Sequence, residues 1–344
     1  MTKSAASRYS EGEKMKLTRV LVTGGQGYLG SVVNELLSRS GYEVVSLDSG
    51  YVSDTRTALP HVTYVQGDVL DAASWRTVLA DVDSVVHLAA IVGDPACGVD
   101  EDLAMATNYL GTIRVMEACR KFGVGRIIFA STCSNYGSTQ GEQADIWSPL
   151  NPQSVYAQTK VLAEHYLLSA HNAGPEPCIL RFATLHGVSP RMRFDLAVNI
   201  MTAGAVAQGR IVVHGGSQWR PFLHVRDAAS AILKCLKRRP ASLAAVYNCG
   251  SNEENYLIKD LAELVLQEVP GSTIDLLGDE CDPRNYRVDF SPIRQSLSFT
   301  KDFRVVDGVR EIRDAMVNGA YQDYLSPRYS NYLRALEASK QRVS

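Results

Sequence analysis

The chain has 344 residues and a formal net charge of -2 at pH 7; hydrophobic residues make up 45% of it and charged residues 21%. This is the balance of an ordinary globular protein, which excludes wholesale disorder. Bulk electrostatics favours neither nucleic acid nor an anionic membrane as a partner. The seven cysteines are scattered without a C-x-x-C pair, which argues against a disulfide framework or a zinc site and fits a reducing cytoplasm.

The N-terminal residues 1–16 contain no apolar run, so we predict a flexible tail and no secretory signal here. No stretch approaches the roughly 20 apolar residues that a membrane-spanning helix needs. We therefore expect a soluble, cytoplasmic protein that holds no metal.

The first half of the chain alternates strand-like and helix-like segments. The strand-like runs are short and rich in Val and Ile: TRVLVTG, YEVVSLD, VTYVQGD, DSVVHLAA and GRIIFAS. Helical periodicity marks YLGSVVNELLSRSG, DAASWRTVLAD and EDLAMATNYLGTIRVMEACRKFG. Because parallel strands need helical crossovers, this alternation predicts a Rossmann-type, doubly wound α/β fold with helices on both faces of the sheet.

The second half is less regular after PCILRFAT. We predict that RIVVHG, FLHVRDAASAILKCLKR and AAVYNCG form a strand, a helix and a strand added to the same sheet. NYLIKDLAELVLQEV, STIDLLG and DPRNYRVDF would form a smaller, interleaved C-terminal substrate lobe, and YLRALEASKQ a surface helix or frayed tail. The predicted divisions are a cofactor domain over 17–184 with return segments at about 222–252, a substrate lobe over 185–221 and 253–318, and a C-terminal helix or tail over 319–344.

A glycine-rich turn, TGGQGYLG, joins the first strand to the first helix and contains Gly24, Gly27 and Gly30. Glycines let the backbone approach a pyrophosphate, and the helix N-terminus offers free N–H groups to the anion. Asp48 ends the second strand, where a carboxylate can accept hydrogen bonds from ribose hydroxyls and would repel a 2′-phosphate. The sequence therefore predicts an NAD site rather than an NADP site.

Tyr156 and Lys160 lie four residues apart at the start of a predicted helix, so that both side chains share one face. An ammonium group beside a phenol favours the phenolate, so we expect Lys160 to lower the pKa of Tyr156 toward neutrality. Tyr156 could then accept the proton of a sugar hydroxyl while the hydride leaves the same carbon for NAD.

A hydroxyl-bearing loop, STCSNYG, closes a strand about 25 residues before this Tyr-x-x-x-Lys pair. Together these features resemble the extended short-chain dehydrogenase/reductase family, whose members remodel nucleotide sugars. The resemblance runs from about residue 18 to about residue 300. Its landmarks are TGGQGYLG, GDV (67–69), HLAA (87–90), NYLGT (108–112), STCSNYG, YAQTK and RPFLHVRDAA (220–229).

The resemblance implies roles for individual residues. Thr132 would hold the substrate, Tyr156 would be the acid/base, and Lys160 would support Tyr156 and bind the nicotinamide ribose. Asn108 would support the active-site network, or be an ordinary buried asparagine. The predicted cofactor-binding set is Gly24, Gly27, Tyr28, Leu29, Gly30, Asp48, Asp68, Val69, Ala89, Ala90, Asn108, Tyr156 and Lys160.

The same resemblance assigns Asn199 and Arg220 to the phosphates of a nucleotide-diphosphate sugar, although a surface salt bridge would also explain Arg220. Many relatives carry a further arginine where this chain has Asp279, so Arg284 would replace it or the phosphate contact would be remodelled. We favour a packed role for His186 and a solvated one for the basic cluster RMRF (191–194).

The loop residues after Thr132 bear on the reaction. Dehydratases of the family place Asp and Glu at the positions of Cys133 and Ser134, and a serine hydroxyl cannot replace a carboxylate as a general acid/base near neutral pH. This favours 4-epimerisation through a transient 4-keto sugar. Asp94 lies in an insertion expected to face the substrate.

Other reactions stay open at this point. A dehydratase could use Asp94 as its extra acid/base, and a GDP-sugar epimerase could use Cys133. A 4-keto reductase is disfavoured by Asp48, and an NAD-binding sensor by the intact Thr132, Tyr156 and Lys160. The resemblance also implies a homodimer, in which the Tyr-x-x-x-Lys helix and the helix around 100–121 pack into a four-helix interface.

Overall fold

A computed structural model of the protein describes residues 18–51, 58–71, 75, 78–170, 172, 174–238, 245–278 and 282–343. The predicted tail over 1–16 and Asp279 lie outside the described residues, as does much of the predicted helix DAASWRTVLAD.

The strands of the described chain follow in this order: β1 Arg19–Thr23, β2 Glu43–Asp48, β3 Val62–Gln66, β4 Ser84–His87, β5 Arg126–Thr132, β6 Ser138–Ala144, β7 Glu176–Phe182, β8 Thr184–His186, β9 Arg210–His214, β10 Trp219–His224, β11 Ala245–Cys249, β12 Asn255–Leu257, β13 Thr273–Leu277 and β14 Asn285–Val288. The helices are α1 Tyr28–Arg39, α2 Asp94–Cys97, α3 Glu101–Met105, α4 Gly111–Phe122, α5 Val155–Ala170, α6 Ala197–Gln208, α7 Val225–Lys237, α8 Ile258–Glu268, α9 Ser291–Leu297, α10 Val305–Val317 and α11 Asn331–Val343. A π-helical turn, Ala106–Leu110, separates α3 from α4.

Seven strands form one sheet in the order β11-β7-β5-β4-β1-β2-β3, and every pairing in it is parallel. Its central strands are buried on both faces, which explains their nearly continuous apolar sequences: Val20, Leu21 and Val22 of β1 are all fully buried. This confirms the predicted doubly wound α/β fold. The carboxyl ends of these strands meet at one edge of the sheet, where ligands of such folds bind.

One strand expected in the main sheet, RIVVHG, lies elsewhere, and one stretch expected in a helix, FLHV, is largely a strand. β9 pairs with β13, and β10 pairs with β8 and β12. Of the three strands β9, β10 and β11, it is β11 that joins the central sheet, where it pairs with β7. The prediction that RIVVHG extends that sheet is wrong, and so is the prediction that FLHV opens the helix, since residues 222–224 belong to β10. The reason is visible in β9, where buried and exposed residues alternate. Such a strand suits a small sheet with one solvated face, not the interior of a parallel sheet.

The C-terminal helix α11 is not a loose tail. It packs against α2, and its Ala335 is 2% exposed in an apolar cluster with Ile91, Ala96 and Cys97. None of the helices in the described part of the chain has the length and hydropathy needed to cross a bilayer.

Candidate active site

A cavity of about 1010 Å³ opens at the carboxyl ends of the central strands and extends to the smaller sheets. Most of the residues predicted for the site line it together: Gly24, Gly27, Tyr28, Leu29, Gly30, Asp48, Asp68, Val69, Ala89, Ala90, Asp94, Thr132, Ser134, Tyr156, Lys160, Arg220 and Arg284. Cys133, Asn108 and Asn199 are not among its lining residues.

One end of the cavity is formed by the turn between β1 and α1. A Cβ on Gly30 would lie 2.1 Å from the carbonyl oxygen of Gly24, and one on Gly24 would lie 2.7 Å from the backbone nitrogen of Ala89. Gly24 also has a φ of +70°, which favours glycine. The first turn of α1 has no side-chain cap and no acidic residue. Free N–H groups at a helix N-terminus therefore face the cavity, as an anionic pyrophosphate requires.

Asp48 stands at the end of β2, beside this turn. Its Oδ2 accepts a hydrogen bond from the backbone amide of Gln26 at 2.9 Å, and its Oδ1 accepts one from Gly50 at 2.9 Å. A carboxylate at the end of the second strand can accept hydrogen bonds from ribose hydroxyls. Asp68, at the next strand end, accepts from the amide of Leu70 at 2.8 Å. The turn, the uncapped helix and the carboxylate together fit an NAD molecule.

A buried chain of hydrogen bonds connects this turn to the helix that carries Tyr156. Thr23 bonds to His87 at 2.7 Å, His87 bonds to Thr112 at 3.1 Å, and Thr112 donates to the carbonyl of Asn108 at 2.7 Å. Burial, with a smaller contribution from Lys160, lowers the pKa of His87 to about 3. His87 is therefore a neutral connector at physiological pH.

Asn108 continues this chain, from within the π-helical turn. Its side chain accepts from the amide of Ile91 at 2.8 Å, and it donates to the carbonyl of Ile91 at 3.0 Å and to Thr159 at 3.1 Å. Asn108 therefore lies behind the cavity wall and fixes the backbone after Ala90 to α5. Helical periodicity did not predict the π turn, a feature often found near functional sites.

Tyr156 and Lys160 project from the first turns of α5. Lys160 is 2% exposed, and its Nζ donates to the carbonyl of Ala130 at 2.9 Å. The same nitrogen lies 4.7 Å from the centre of the Phe129 ring and 6.0 Å from that of Tyr156. The two side chains share one face of the helix, as predicted, but the ammonium group is directed first at the end of β5.

The pKa values differ from the sequence expectation. Burial raises the pKa of Tyr156. The nearby Cys97 and Asp94 raise it further, whereas Arg193 lowers it. Burial also lowers the pKa of Lys160 to about 8, although Cys97 and Glu164 act in the opposite direction. The predicted lowering of the Tyr156 pKa by Lys160 is therefore wrong for this arrangement: burial raises that pKa, and the Lys160 ammonium donates to the carbonyl of Ala130 instead.

The loop STCSNYG is held by a buried ion pair that the sequence analysis missed. Arg181 of β7 pairs with Glu164 of α5 at 2.7 Å, and Glu164 also accepts hydrogen bonds from Ser131 and, at 2.9 Å, from Asn135. Arg181 donates to the hydroxyl of Tyr136 at 2.9 Å as well. Glu164 lies four residues after Lys160, so the i, i+4 spacing that selected the catalytic pair could have found it.

Within this loop the side chains point to different places. Thr132 and Ser134 line the cavity, and Ser134 is hydrogen-bonded to the hydroxyl of Tyr286 at 3.2 Å. Cys133 is 1% exposed, belongs to the hydrophobic core, and donates to the carbonyl of Arg181 at 3.2 Å. Burial raises the pKa of its thiol. The assignment of Cys133 as a catalytic group is not supported, because its side chain faces away from the site.

The other end of the cavity is crossed by ion pairs. Arg284 pairs with Asp282 and with Asp94, and Arg220 pairs with Asp282 at 2.8 Å. Asp94 also accepts a hydrogen bond from Ser154 at 2.5 Å. Attraction to Arg284 and Arg220 holds the pKa of Asp282 at about 2, against the effect of its burial. Asp282 is a residue that the sequence analysis missed.

Three further expectations concern residues near this end. Asn199 is fully buried and donates to the carbonyl of Arg193 at 2.7 Å and to the hydroxyl of Tyr28 at 3.3 Å, so it braces the wall from behind. His186 is packed, as expected. The basic cluster is not solvated: Arg191 and Arg193 are 3% and 7% exposed and line the cavity.

Comparison with known proteins agrees with this geometry. The model of the NAD dependent epimerase/dehydratase family matches residues 20–250, and the chain belongs to this family. A Bacillus subtilis (strain 168) protein, the uncharacterized UDP-glucose epimerase YtcB, is 29% identical over 308 residues, which are 85% of this chain and 95% of that protein.

Two solved structures show a similar fold. The UDP-glucose 4-epimerase of Thermus thermophilus in complex with NAD has a TM-score of 0.76 and 26% identity, covering 88% of this chain and 100% of that one. DesIV, the dTDP-glucose 4,6-dehydratase of Streptomyces venezuelae with NAD and TYD bound, has a TM-score of 0.80 and 25% identity, covering 90% and 100%. The family and its cofactor, NAD, are thereby confirmed, whereas an epimerase and a dehydratase resemble the chain alike.

Proposed function

We propose that this protein is an NAD-dependent nucleotide-sugar 4-epimerase acting on a UDP-sugar. The observation that carries the proposal is the composition of the loop at the substrate end. Thr132 and Ser134 face the cavity, and neither can act as a carboxylic acid. Elimination of water needs such a group beside the 4-keto sugar, whereas epimerisation does not. The names of the relatives, UDP-glucose epimerases among them, support the choice of UDP.

The NAD site proposed for this chain consists of the turn Gly24–Gly30, the uncapped start of α1, Asp48, Asp68 and the backbone of Ala89 and Ala90. NAD bound there would supply a reversible acceptor for the hydride of sugar C4, which would return to the opposite face of the same carbon. The glycines allow its pyrophosphate to approach the backbone, and Asp48 binds a ribose. Lys160 would bind the second ribose.

Tyr156 accepts the proton of the C4 hydroxyl as the C4–H bond breaks, and it returns that proton to the oxygen once the keto-sugar has turned over. Thr132 donates a hydrogen bond to the same oxygen and keeps it within reach of the phenol. Burial raises the pKa of Tyr156, so the phenol is mostly protonated in the neutral range. The deprotonated fraction, which can accept the proton, therefore grows as the pH rises. We therefore expect kcat/KM to increase with pH through the neutral range.

Arg220 and Arg284 are proposed to bind the diphosphate of the substrate. Both guanidinium groups line the cavity, and a planar guanidinium matches phosphate oxygens in a bidentate way. Asp282 and Asp94 hold the two arginines in the absence of phosphate. A substrate phosphate would therefore have to compete with these carboxylates for the same donors.

A second candidate, a dehydratase, is favoured by one observation. Asp94 lies at the substrate end of the cavity and is close enough to Tyr156 to raise its pKa. A carboxyl group there could supply the acid or base that the loop lacks. Its ion pair with Arg284 and its hydrogen bond from Ser154 argue instead for a structural or binding role.

The experiment is to incubate the protein and NAD with UDP-, dTDP- and GDP-hexoses and to identify the products by NMR and mass spectrometry. The proposal predicts the C4 epimer of a UDP-hexose, with unchanged mass. A product that has lost water would favour the dehydratase. The variant Asp94→Asn separates the two as well, because it should abolish dehydration but leave epimerisation measurable.

We also infer that the protein is a homodimer through α5 and the helical segment that includes the π turn. Leu110 and Leu162 are 46% and 40% exposed on these two elements. A four-helix contact would cover both side chains. Sedimentation of the wild type and of Leu162→Glu tests this inference, since the charged residue should produce monomers.

A further inference from the structure

We propose that Asn331, the first residue of α11, is a positioning residue that fixes two parts of the active-site wall to each other. Its side chain bonds to the backbone of the segment 91–97, and its backbone amide bonds to Asp195, the partner of Arg193. The inference rests on the proposed function, because the groups that Asn331 positions are those expected to surround the sugar.

Asn331 contacts both parts directly and itself lines the cavity. Its Nδ2 donates to the carbonyl of Val92 at 3.0 Å, and its backbone N–H donates to Oδ2 of Asp195 at 2.7 Å. Val92 is two residues before Asp94, and Asp195 is more than a hundred residues further along the chain. One residue of the C-terminal helix therefore bridges two loops that are distant in sequence.

The contact with Asp195 extends to Arg193, whose charge acts on Tyr156. Nε of Arg193 donates to Oδ1 of Asp195 at 2.8 Å, and the arginine is 7% exposed. Arg193 lies beside the same loop, since a Cβ on Gly93 would be 3.9 Å from its Nη2. A buried guanidinium remains in one place only when its partner carboxylate does. Asn331 thus determines where this charge stands relative to the reacting phenol.

Two sets of apolar contacts hold α11 in position for this role. Ala335, one turn after Asn331, is buried among Ile91, Ala96 and Cys97, against which Tyr156 also packs. On the other side of Asn331, the amide of Phe194 donates to the carbonyl of Tyr329 at 2.9 Å. The Phe194 ring makes edge contacts with three tyrosines of the C-terminal segment, Tyr321, Tyr324 and Tyr329. These contacts fix the C-terminal segment against the residues that surround the cavity.

The test compares Asn331→Ala and Asn331→Asp with the wild type and with Asn318→Ala, a control at an exposed asparagine of the same C-terminal region. Asp has the shape of Asn but cannot donate to the carbonyl of Val92, so both Asn331 variants should behave alike. We expect kcat to fall about tenfold, while KM and the Kd of NAD change less than about threefold. Hydrogen exchange of the amides in 91–97 should become about tenfold faster.

Exchange and kcat within about twofold of the wild type in both Asn331 variants would overturn the inference, as would a loss in Asn331→Ala that Asn331→Asp restores. The two proposals fail separately. If the wild-type protein does not epimerise any nucleotide sugar, the proposed function fails, but hydrogen exchange still decides whether Asn331 holds the loop.

Discussion

The two ends of the active-site cavity present different chemical groups to a ligand. At the cofactor end, the ligand-facing surface is backbone: a glycine turn, the first amides of α1 and strand ends, with Asp48 as the main charged side chain. At the substrate end, the surface consists of side chains, and Arg220, Arg284, Asp282 and Asp94 are joined in ion pairs. Tyr156 and Lys160 stand between the two.

This difference separates what the family shares from what an individual member does. A pyrophosphate is bound in the same way whatever the reaction, so backbone donors suffice at the cofactor end. Sugars and reactions vary, and side chains on loops are easily exchanged. Relatives that carry out epimerisation and dehydration therefore resemble this chain equally at the level of fold.

The largest effect is expected between the two ends. Tyr156→Phe removes the group proposed to accept and return the proton, and we expect kcat to fall about a thousandfold. The Kd of NAD, measured by calorimetry, should stay within about twofold, because the ring is retained. A variant with more than a tenth of the wild-type kcat would show that another group performs the proton transfer.

Lys160 provides a pH test of the same region. Its pKa is about 8 in the folded protein, below its ordinary value of 10.5. Between these two pH values the unfolded chain binds more protons, so stability should rise with pH from about 8 to about 10.5. The shift in the pKa of Lys160 corresponds to a change of about 3 kcal/mol in the free energy of unfolding.

Lys160→Met should be inactive, because it lacks the ammonium group proposed to support Tyr156 and to bind the ribose. It should also be more stable than the wild type at pH 7, by up to about 3 kcal/mol, because the buried charge is gone. The difference should shrink as the pH approaches 10.5. Urea unfolding at several pH values measures it, and a difference that does not change with pH would contradict the lowered pKa.

Gly30→Ala tests the cofactor end. The new Cβ would meet the carbonyl oxygen of Gly24 at 2.1 Å, so the turn must open at a cost of about 1–3 kcal/mol. NAD affinity should fall by a corresponding factor of about 10–100. Gly27→Ala is the matched control, because its Cβ would lie 3.2 Å from the same oxygen. Equal losses in the two variants would argue against a role for close packing.

Arg284→Met tests the substrate end. Loss of the guanidinium should raise KM for the nucleotide sugar about tenfold and leave the Kd of NAD unchanged. The control is Arg310→Met, which removes an exposed arginine paired with Glu268. A change in NAD affinity would show that the two ends are less independent than their construction suggests.

The smallest effect is expected for Cys133→Ala. Its thiol is buried away from the cavity, so kcat should change less than about threefold and stability should drop by about 1 kcal/mol. Only a large loss of kcat with unaltered stability would return Cys133 to the catalytic set.

The same division explains how much the sequence could predict. The fold, the glycine turn, Asp48 and the Tyr156–Lys160 pair depend on short-range spacing, and the sequence pattern contains that information. Asp282, Arg181 and Asn331 act through contacts between distant segments, which spacing does not reveal, although the i, i+4 spacing from Lys160 marks Glu164. The raised pKa of Tyr156 depends on burial, which is a property of the folded chain.

In the proposed reaction, hydride leaves sugar C4 and returns to the same carbon. This return is tested most directly with a UDP-hexose carrying deuterium at C4, incubated with the protein and NAD in ordinary water and followed by NMR. We expect the deuterium to stay at C4 in both epimers, at unchanged mass. Deuterium found at C6 of a product that has lost water, or washed out into solvent, would contradict it.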